Sequence, residues 1–167
     1  MIASLRGTVV ALGLDRVVIE TGGVALPGAG IERAGRGWVF AGPSNAGKTT
    51  AVELSGGARS LGDDFAAIVP WRDGFRIAPV PFDNSERVNV PPPDDPIPLA
   101  AVLRLRQAEA HRLERPPHGL AVAALASCAA FPWAVPDLAE RLLANAAAVA
   151  GGGRVIDLFF ARDDGFW

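Results

Sequence analysis

The segment from residue 37 to residue 50 guides the interpretation of the whole chain. It reads Gly37-Trp38-Val39-Phe40-Ala41-Gly42-Pro43-Ser44-Asn45-Ala46-Gly47-Lys48-Thr49-Thr50. A short apolar run, which predicts a strand, is followed by the pattern Gly-x-x-x-x-Gly-Lys-Thr of a phosphate-binding loop. The glycines let successive backbone N–H groups turn toward phosphate oxygens, and a helix beginning at about Gly47 would add its positive end. The sequence therefore predicts a site for nucleotide phosphates.

Two side chains of this loop have predicted roles of their own. Lys48 would reach the β- and γ-phosphates, and the hydroxyl of Thr49 would ligate Mg²⁺. The chain has 16 basic residues, and Lys48 is the single lysine among them. A compact ammonium kept at this one position favours a phosphate site over a glycine-rich turn that merely caps a helix. The predicted nucleotide-binding residues are Gly42, Pro43, Ser44, Asn45, Ala46, Gly47, Lys48, Thr49 and Thr50.

Length and composition limit the class of protein. The chain has 167 residues, of which 50% are hydrophobic and 20% charged, so one globular domain with a real core is expected. The net charge of −2 gives no electrostatic argument for nucleic acid or an anionic membrane. The lone Cys128 excludes an internal disulfide and is expected to be a small buried residue. No segment is typical of a targeting or membrane-spanning element, so we expect a cytoplasmic protein.

Periodicity and turn residues predict a mixed α/β domain. Strands are expected at 4–12, 15–26, 38–41, 59–61, 65–70, 75–80, 99–105 and 155–160, with 111–115 as a candidate partner of the strand at 99–105. Helices are expected at 47–54, at 119–130 and from a cap at Asp137. Asp157 lies inside the last predicted strand, where burial is a simpler interpretation than metal binding.

Asp63 and Asp64 follow the strand that comes after the loop. The crossover from Ala41 to Arg59 is long enough to make the two strands parallel. The carboxyl ends of parallel strands share one edge of a sheet, where ligands bind in open α/β folds, so the two acids should lie beside Thr49. One carboxylate would hold Mg²⁺ and the other would take a proton from an acceptor hydroxyl. The alternative is that the two acids only cap a turn.

The loop together with Leu61-Gly62-Asp63-Asp64 resembles the catalytic core of HPr kinase/phosphorylase, especially the shorter HPr-kinase-like proteins of bacterial gene clusters. The resemblance covers residues 26–167. It implies a single phosphate-loop domain with a mixed central sheet, similar to the nucleotide-binding part of ATP-dependent phosphoenolpyruvate carboxykinase. It also implies transfer of phosphate from ATP, with Mg²⁺, to a serine-type hydroxyl on a protein or peptide. By this resemblance Asp63 is the general base and Asp64 lies beside the metal.

Two departures from the family pattern leave an alternative open. The family has a histidine before the phosphate-loop strand, and this sequence has Pro27 at the matching position. The region by which HPr kinases engage HPr is not recognisable. A catalytically weak or inactive nucleotide-binding regulatory module is therefore the second hypothesis. A homo-oligomer is compatible with the sequence, and the acceptor and the base preference stay open.

Other polar residues have weaker signals. His111 and His118 are more typical of surface residues than of metal ligands, because no nearby carboxylate or cysteine completes a set. An arginine would help to neutralise transition-state charge, and the sequence does not choose among Arg87, Arg104, Arg106, Arg112 and Arg115.

Residues 1–25 separately resemble the N-terminal hairpin of RuvA, the Holliday-junction-binding subunit of the branch-migration machinery. In that family the hairpin belongs to a larger oligonucleotide-binding barrel, and nothing after Ala25 continues the match. One hairpin is not a stable domain, so we favour an N-terminal β-hairpin extension (1–25) added to the edge of the main sheet of the domain at 26–167. A nucleic-acid-binding protein is the remote alternative, and nucleic acid is not an expected partner.

Overall fold

The computed structural model describes residues 8–12, 17–20, 23–80, 95–128 and 136–167. Within these ranges the chain forms a mixed sheet of eight strands, a separate sheet of two strands and three helices, which confirms the predicted mixed α/β class. The elements in chain order are β1 (Thr8–Leu12), β2 (Val17–Glu20), β3 (Val24–Arg33), β4 (Arg36–Ala41), α1 (Lys48–Glu53), β5 (Arg59–Gly62), β6 (Phe65–Trp71), β7 (Gly74–Ala78), β8 (Ile97–Gln107), β9 (Arg112–Glu114), α2 (His118–Cys128), α3 (Pro136–Gly151) and β10 (Val155–Phe160).

Three parallel strands form the part of the large sheet that carries the site. Strand β8 pairs with β4 on one side and with β10 on the other, parallel in both cases. Strand β3 is antiparallel to β4, and β9 is antiparallel to β10. Because β4, β8 and β10 point the same way, their last residues, Ala41, Gln107 and Phe160, lie along one edge of the sheet, which we call the carboxyl edge.

Strand β3 is longer than the sequence predicts. Its first half pairs with β6 and its second half with β4, so that β3, β6, β7, β8 and β4 form a closed circuit of paired strands. Gly30 lies close to the fully buried Ile77, and a side chain at Gly37 would come within 2.7 Å of Ile77. The residues after the expected strand end at 26 thus continue β3, and Gly30 leaves room for Ile77 beside it. Strand β3 also begins at Val24 and crosses the expected boundary between residues 25 and 26.

The sheet separates two apolar clusters. Helices α2 and α3 cover one face, where Val39, Val102 and Val149 are fully buried. Helix α1 covers the other face, around the fully buried Phe40. On this second face Trp167 packs edge-on against Trp38 at 5.2 Å and donates its indole N–H to the hydroxyl of Ser55 at 3.1 Å.

Several predicted pairings and boundaries differ from the structure. Strand β9 pairs with β10 and not with β8, because β10 occupies the edge of β8. Among the described residues β1 and β2 pair only with each other, so the described part of the predicted hairpin extension is not paired with the main sheet. The next strand, β3, already pairs with β4, β5 and β6. Helix α3 begins at Pro136, one residue before the expected cap, and proline suits a first helical position.

Some predictions lie outside the described residues. They concern Arg87, the end of the second helix at 129–130, and parts of the N-terminal hairpin at 4–7, 13–16 and 21–22. None of the described helices is long and apolar enough to cross a membrane.

Candidate functional site

The loop between β4 and α1 has the backbone of an anion-binding turn. The N–H of Ala46 donates to the carbonyl oxygen of Pro43 at 3.2 Å, which closes a tight turn. Asn45 has φ of 65° and Gly47 has φ of 101°, both in the left-handed region. No side chain caps α1 at Gly47, and the N–H groups of a first helical turn have no acceptor inside the helix. The loop therefore presents backbone donors suited to phosphate oxygens.

Both glycines of the motif are required by close packing. A Cβ atom at Gly47 would lie 2.7 Å from Cζ of Phe160, at the end of β10. A Cβ atom at Gly42 would lie 2.7 Å from Cβ of Ala46, within the loop itself. Phe160 is almost fully buried, and its ring packs against the loop at Gly47.

Lys48 is folded back onto the loop that precedes it. Its Nζ donates to the carbonyl oxygens of Gly42 at 3.0 Å and Pro43 at 2.9 Å. An ammonium group has three N–H donors, so these two bonds fix its position and leave one donor for a ligand.

A cavity of about 700 Å³ opens at the carboxyl edge. Cavities that bind small molecules typically measure about 300–1,000 Å³. The residues that line it are Ser44, Asn45, Gly47, Lys48, Thr49, Thr50, Asp64, Gln107, Ala108, Phe160, Ala161 and Arg162. Most of the predicted phosphate loop thus faces one space, together with residues that follow β5, β8 and β10.

The structure brings Asp64 to the loop and places Asp63 differently. Asp64 lines the cavity with Lys48 and Thr49, and its carbonyl oxygen accepts the N–H of Gly28 at 3.0 Å, which anchors the turn to β3. Asp63 is half-buried and is not among the described residues that line the cavity. Strands β4 and β5 run in the same direction but are not neighbours, because β3 lies between them and is antiparallel to both. Their carboxyl ends nevertheless reach the same edge.

Two cavity residues escaped sequence reasoning. The side-chain amide of Gln107 donates to the carbonyl oxygen of Asn45 at 3.0 Å, so it holds the apex of the loop. Arg162 lines the cavity from the segment after β10. The signal that would have found them is their place at the carboxyl ends of two strands parallel to β4, but that strand order was not evident from the sequence.

The described arginines considered from the sequence do not line the cavity, and three of them have ion-pair contacts elsewhere. Arg104 forms a double hydrogen bond with Asp157, and Arg112 pairs with Glu114 at 2.8 Å. Arg104, Arg106, Arg112 and Arg115 do not line the cavity, and Arg87 lies outside the described residues. Among the described arginines, Arg162 is the one placed at the cavity.

His111 lies beside the cavity in a fixed arrangement. Its Nδ1 accepts the N–H of Ala161 at 3.4 Å, and its Nε2 lies 2.6 Å from Oδ1 of Asp163. The hydrogen bond with His111, followed by that from the N–H of Gly165, lowers the pKa of the Asp163 carboxyl. The side chain of His111 is 24% exposed, so it is less of a surface residue than expected. His118 is exposed at the start of α2, and the described ranges contain no group of three potential metal-binding side chains of the His, Cys, Asp and Glu types.

No protein-family model matches the chain, and no curated protein matches it. The function of the cavity therefore has to be inferred from its residues.

Proposed function

We propose that the chain is a phosphotransferase of the HPr-kinase-like type, which binds ATP with Mg²⁺ in this cavity and transfers phosphate to a serine-type hydroxyl on a protein or peptide. The corresponding fold would be a phosphate-loop domain like the nucleotide-binding part of phosphoenolpyruvate carboxykinase. The observation that carries the proposal is that Asp64 lines the same cavity as Lys48 and Thr49. A phosphate loop alone predicts nucleotide binding. A carboxylate beside the loop would also supply a ligand for the Mg²⁺ that the phosphates bind.

The loop residues would bind the phosphate chain. Lys48 keeps its ammonium at the loop through the carbonyl oxygens of Gly42 and Pro43, so little reorganisation is needed to contact a phosphate oxygen. The amide of Gln107 holds the carbonyl of Asn45, which keeps the apex of the loop in one conformation. Such preorganised donors stabilise developing charge more effectively than mobile ones.

The residues at the cavity suit Mg²⁺. This ion prefers oxygen ligands and is often bound through one or two carboxylates together with substrate phosphates. The hydroxyl of Thr49 and the carboxylate of Asp64 would supply the protein oxygens. When bound, Mg²⁺ would offset the negative charge of the phosphate oxygens. Arg162 would add a second positive charge from the β10 side of the cavity.

Asp63 would accept the proton of the acceptor hydroxyl. A general base has to come within about 2.6–3.2 Å of that hydroxyl oxygen. Because Asp63 precedes Asp64 in the turn and does not line the cavity, the acceptor would approach the turn from outside the cavity. This direction of approach suits a side chain presented by a protein or peptide.

Titration calorimetry with Mg·ATP tests the binding half of the proposal. The wild type should bind, and Lys48→Ala should abolish binding. Arg112→Ala is the matched control, because Arg112 is a cation outside the cavity. Equal affinity of wild type and Lys48→Ala would reject the loop as the phosphate site.

Incubation with labelled ATP and serine-containing peptides tests transfer. Asp63→Asn should bind Mg·ATP as the wild type does and transfer no phosphate. Transfer at the wild-type rate by this variant would remove Asp63 from the role of general base.

One observation favours a nucleotide-binding regulatory module as a second candidate. Pro27 lies opposite Phe65 in the pairing of β3 with β6, next to the Asp63–Asp64 turn. The HPr-kinase family, which the sequence resembles, has a histidine at the position that matches Pro27. Tight binding of Mg·ATP with no transfer to any peptide of a serine library would favour this candidate over the kinase.

A further inference from the structure

We infer that His111 and Asp163 form a clamp that holds Arg162 at the cavity, so that both are positioning residues for the site. We call this pair the His111–Asp163 clamp. The part of the inference that concerns ATP rests on the proposed function, whereas the clamp itself rests on geometry alone.

The clamp contacts the residues on both sides of Arg162, at the backbone N–H of Ala161 and at the side-chain carboxylate of Asp163. His111, from the link between β8 and β9, accepts the N–H of Ala161 at Nδ1 at 3.4 Å. On the other side its Nε2 lies 2.6 Å from Oδ1 of Asp163. A neutral imidazole that accepts at Nδ1 carries its proton on Nε2, which then donates to Asp163. The ring thus bridges residues 161 and 163, and the residue between them lines the cavity.

Further contacts fix the two members of the clamp. Oδ1 of Asp163 also accepts the N–H of Gly165 at 2.9 Å, which closes the chain around the carboxylate. A Cβ atom at Gly165 would lie 3.0 Å from Nε2 of His111 and 2.9 Å from Oδ1 of Asp163, so a side chain there would press against both. The ring of Phe166 contacts the imidazole at a centroid distance of 6.0 Å. Residues 161–166 therefore wrap around His111.

The clamp matters because Arg162 follows the end of β10, outside the ladder of the sheet. A long side chain on an unrestrained segment would lose rotational freedom on contacting phosphate, and that loss weakens binding. With Ala161 and Asp163 both held by His111, the backbone of Arg162 keeps its place before the ligand arrives, and only its exposed side chain still has to become ordered. Mg·ATP carries one more negative charge than Mg·ADP, so a positive charge held at the cavity should favour ATP over ADP, and the clamp should influence ATP more than ADP.

A double-mutant cycle on nucleotide affinity tests whether His111 acts through Arg162. Dissociation constants for Mg·ATP and Mg·ADP are measured by titration calorimetry for the wild type, His111→Ala, Arg162→Ala and the double variant. Arg162→Ala should reduce the preference for ATP over ADP about 10-fold or more, the usual scale for a hydrogen bond to a charged group. His111→Ala should reduce the preference for ATP about 3-fold to 10-fold. In the Arg162→Ala background, adding His111→Ala should change this preference by less than about 2-fold.

His118→Ala is the matched control, because His118 is exposed and does not line the cavity. It should leave the ATP preference unchanged. If His111→Ala reduces the preference equally with and without Arg162, His111 does not act through Arg162 and the positioning role is rejected.

Amide hydrogen exchange of the nucleotide-free protein tests the clamp without any nucleotide. His111→Ala should increase exchange at Ala161, and Asp163→Ala should increase it at Gly165. Asp163→Asn keeps an acceptor oxygen and should have a smaller effect, while His118→Ala should have none. Unchanged exchange in His111→Ala would reject the clamp. If the wild type binds neither nucleotide, the proposed function fails, and the exchange result still decides whether the clamp exists.

Discussion

Arg104 and Asp157 lie directly opposite each other on the parallel strands β8 and β10 and form a two-pronged ion pair. Nε of Arg104 is 2.6 Å from Oδ1 of Asp157, and Nη2 is 2.7 Å from Oδ2. The side chains are only 18% and 12% exposed. Gln107 ends β8 and Arg162 follows the end of β10, so the pair ties the register of the two strands to the side chains at the carboxyl edge.

Asp157→Ala should destabilise the protein by about 3 kcal/mol, because it leaves the largely buried guanidinium of Arg104 without its counter-charge. Combined replacement of both residues by leucine should recover most of that loss, to within about 1 kcal/mol, since two apolar side chains leave no charge uncompensated. Denaturant titration of the free energy of unfolding measures both effects.

The control for this series is Glu114→Gln on strand β9. Glu114 and its partner Arg112 are 50% and 60% exposed, so loss of their ion pair should cost less than about 1 kcal/mol. An equal cost for Asp157→Ala and Glu114→Gln would show that burial of the Arg104–Asp157 pair has no energetic consequence.

Gln107→Leu should weaken Mg·ATP binding and lower the free energy of unfolding by no more than about 1 kcal/mol. The lost bond to the carbonyl of Asn45 is exposed, so its net contribution is about 1 kcal/mol, or about 5-fold in affinity. Gln107→Glu should weaken binding more, because a carboxylate repels both that carbonyl and the phosphates. Titration calorimetry separates the three proteins. If both variants bind as tightly as the wild type, the conformation of the loop does not depend on Gln107.

Local signals made much of the chain predictable. The motif from Gly42 to Thr49 placed β4, the loop and α1 nearly where the structure has them, because glycine conformation and helix onset depend on neighbours in sequence. The strands expected at 65–70 and 75–80 correspond to β6 and β7, and β10 has the bounds expected from its apolar run.

Non-local pairing was not predictable in this way. Strand β10 is the last in sequence but lies between β8 and β9. Which strand β9 pairs with therefore depends on which strand edges are free and not on the residues of β9. The same limit explains the site. Asp64 was found because it belongs to a motif, whereas Gln107 and Arg162 become neighbours of the loop only through the strand order. The continuation of β3 beyond residue 26 was not predicted, because Gly28 and Gly30 are residues typical of turns that here allow close packing within a strand.

Gly47→Ala should lower the free energy of unfolding and also weaken Mg·ATP binding by the loop. An alanine at a φ of 101° costs about 1–2 kcal/mol in backbone strain, and its Cβ would also press against Phe160. Gly57→Ala, just beyond the other end of α1, is the matched control, because Gly57 has φ of 77° and open space around it. Gly57→Ala should lower the free energy of unfolding by the backbone strain alone and should bind Mg·ATP as the wild type does. Unfolding titrations and calorimetry compare the two, and equal effects on binding would mean that the contact with Phe160 does not shape the loop.

The ion pair between Glu32 and Arg59 should make stability depend on pH in the acid range. Their side chains approach to 2.6 Å, and the hydrogen bond from Arg59 holds the pKa of Glu32 below its ordinary value of 4.5. Since the folded-state pKa lies below the unfolded one, the stabilisation is complete above pH 4.5 and is lost as the pH falls through the folded-state value. The difference in unfolding free energy between wild type and Glu32→Gln should therefore be constant at neutral pH and shrink on acidification. Denaturant titrations from about pH 7 to about pH 3 measure this difference. A difference that stays constant over the whole range would show that the charge of the Glu32 carboxylate does not stabilise the folded state.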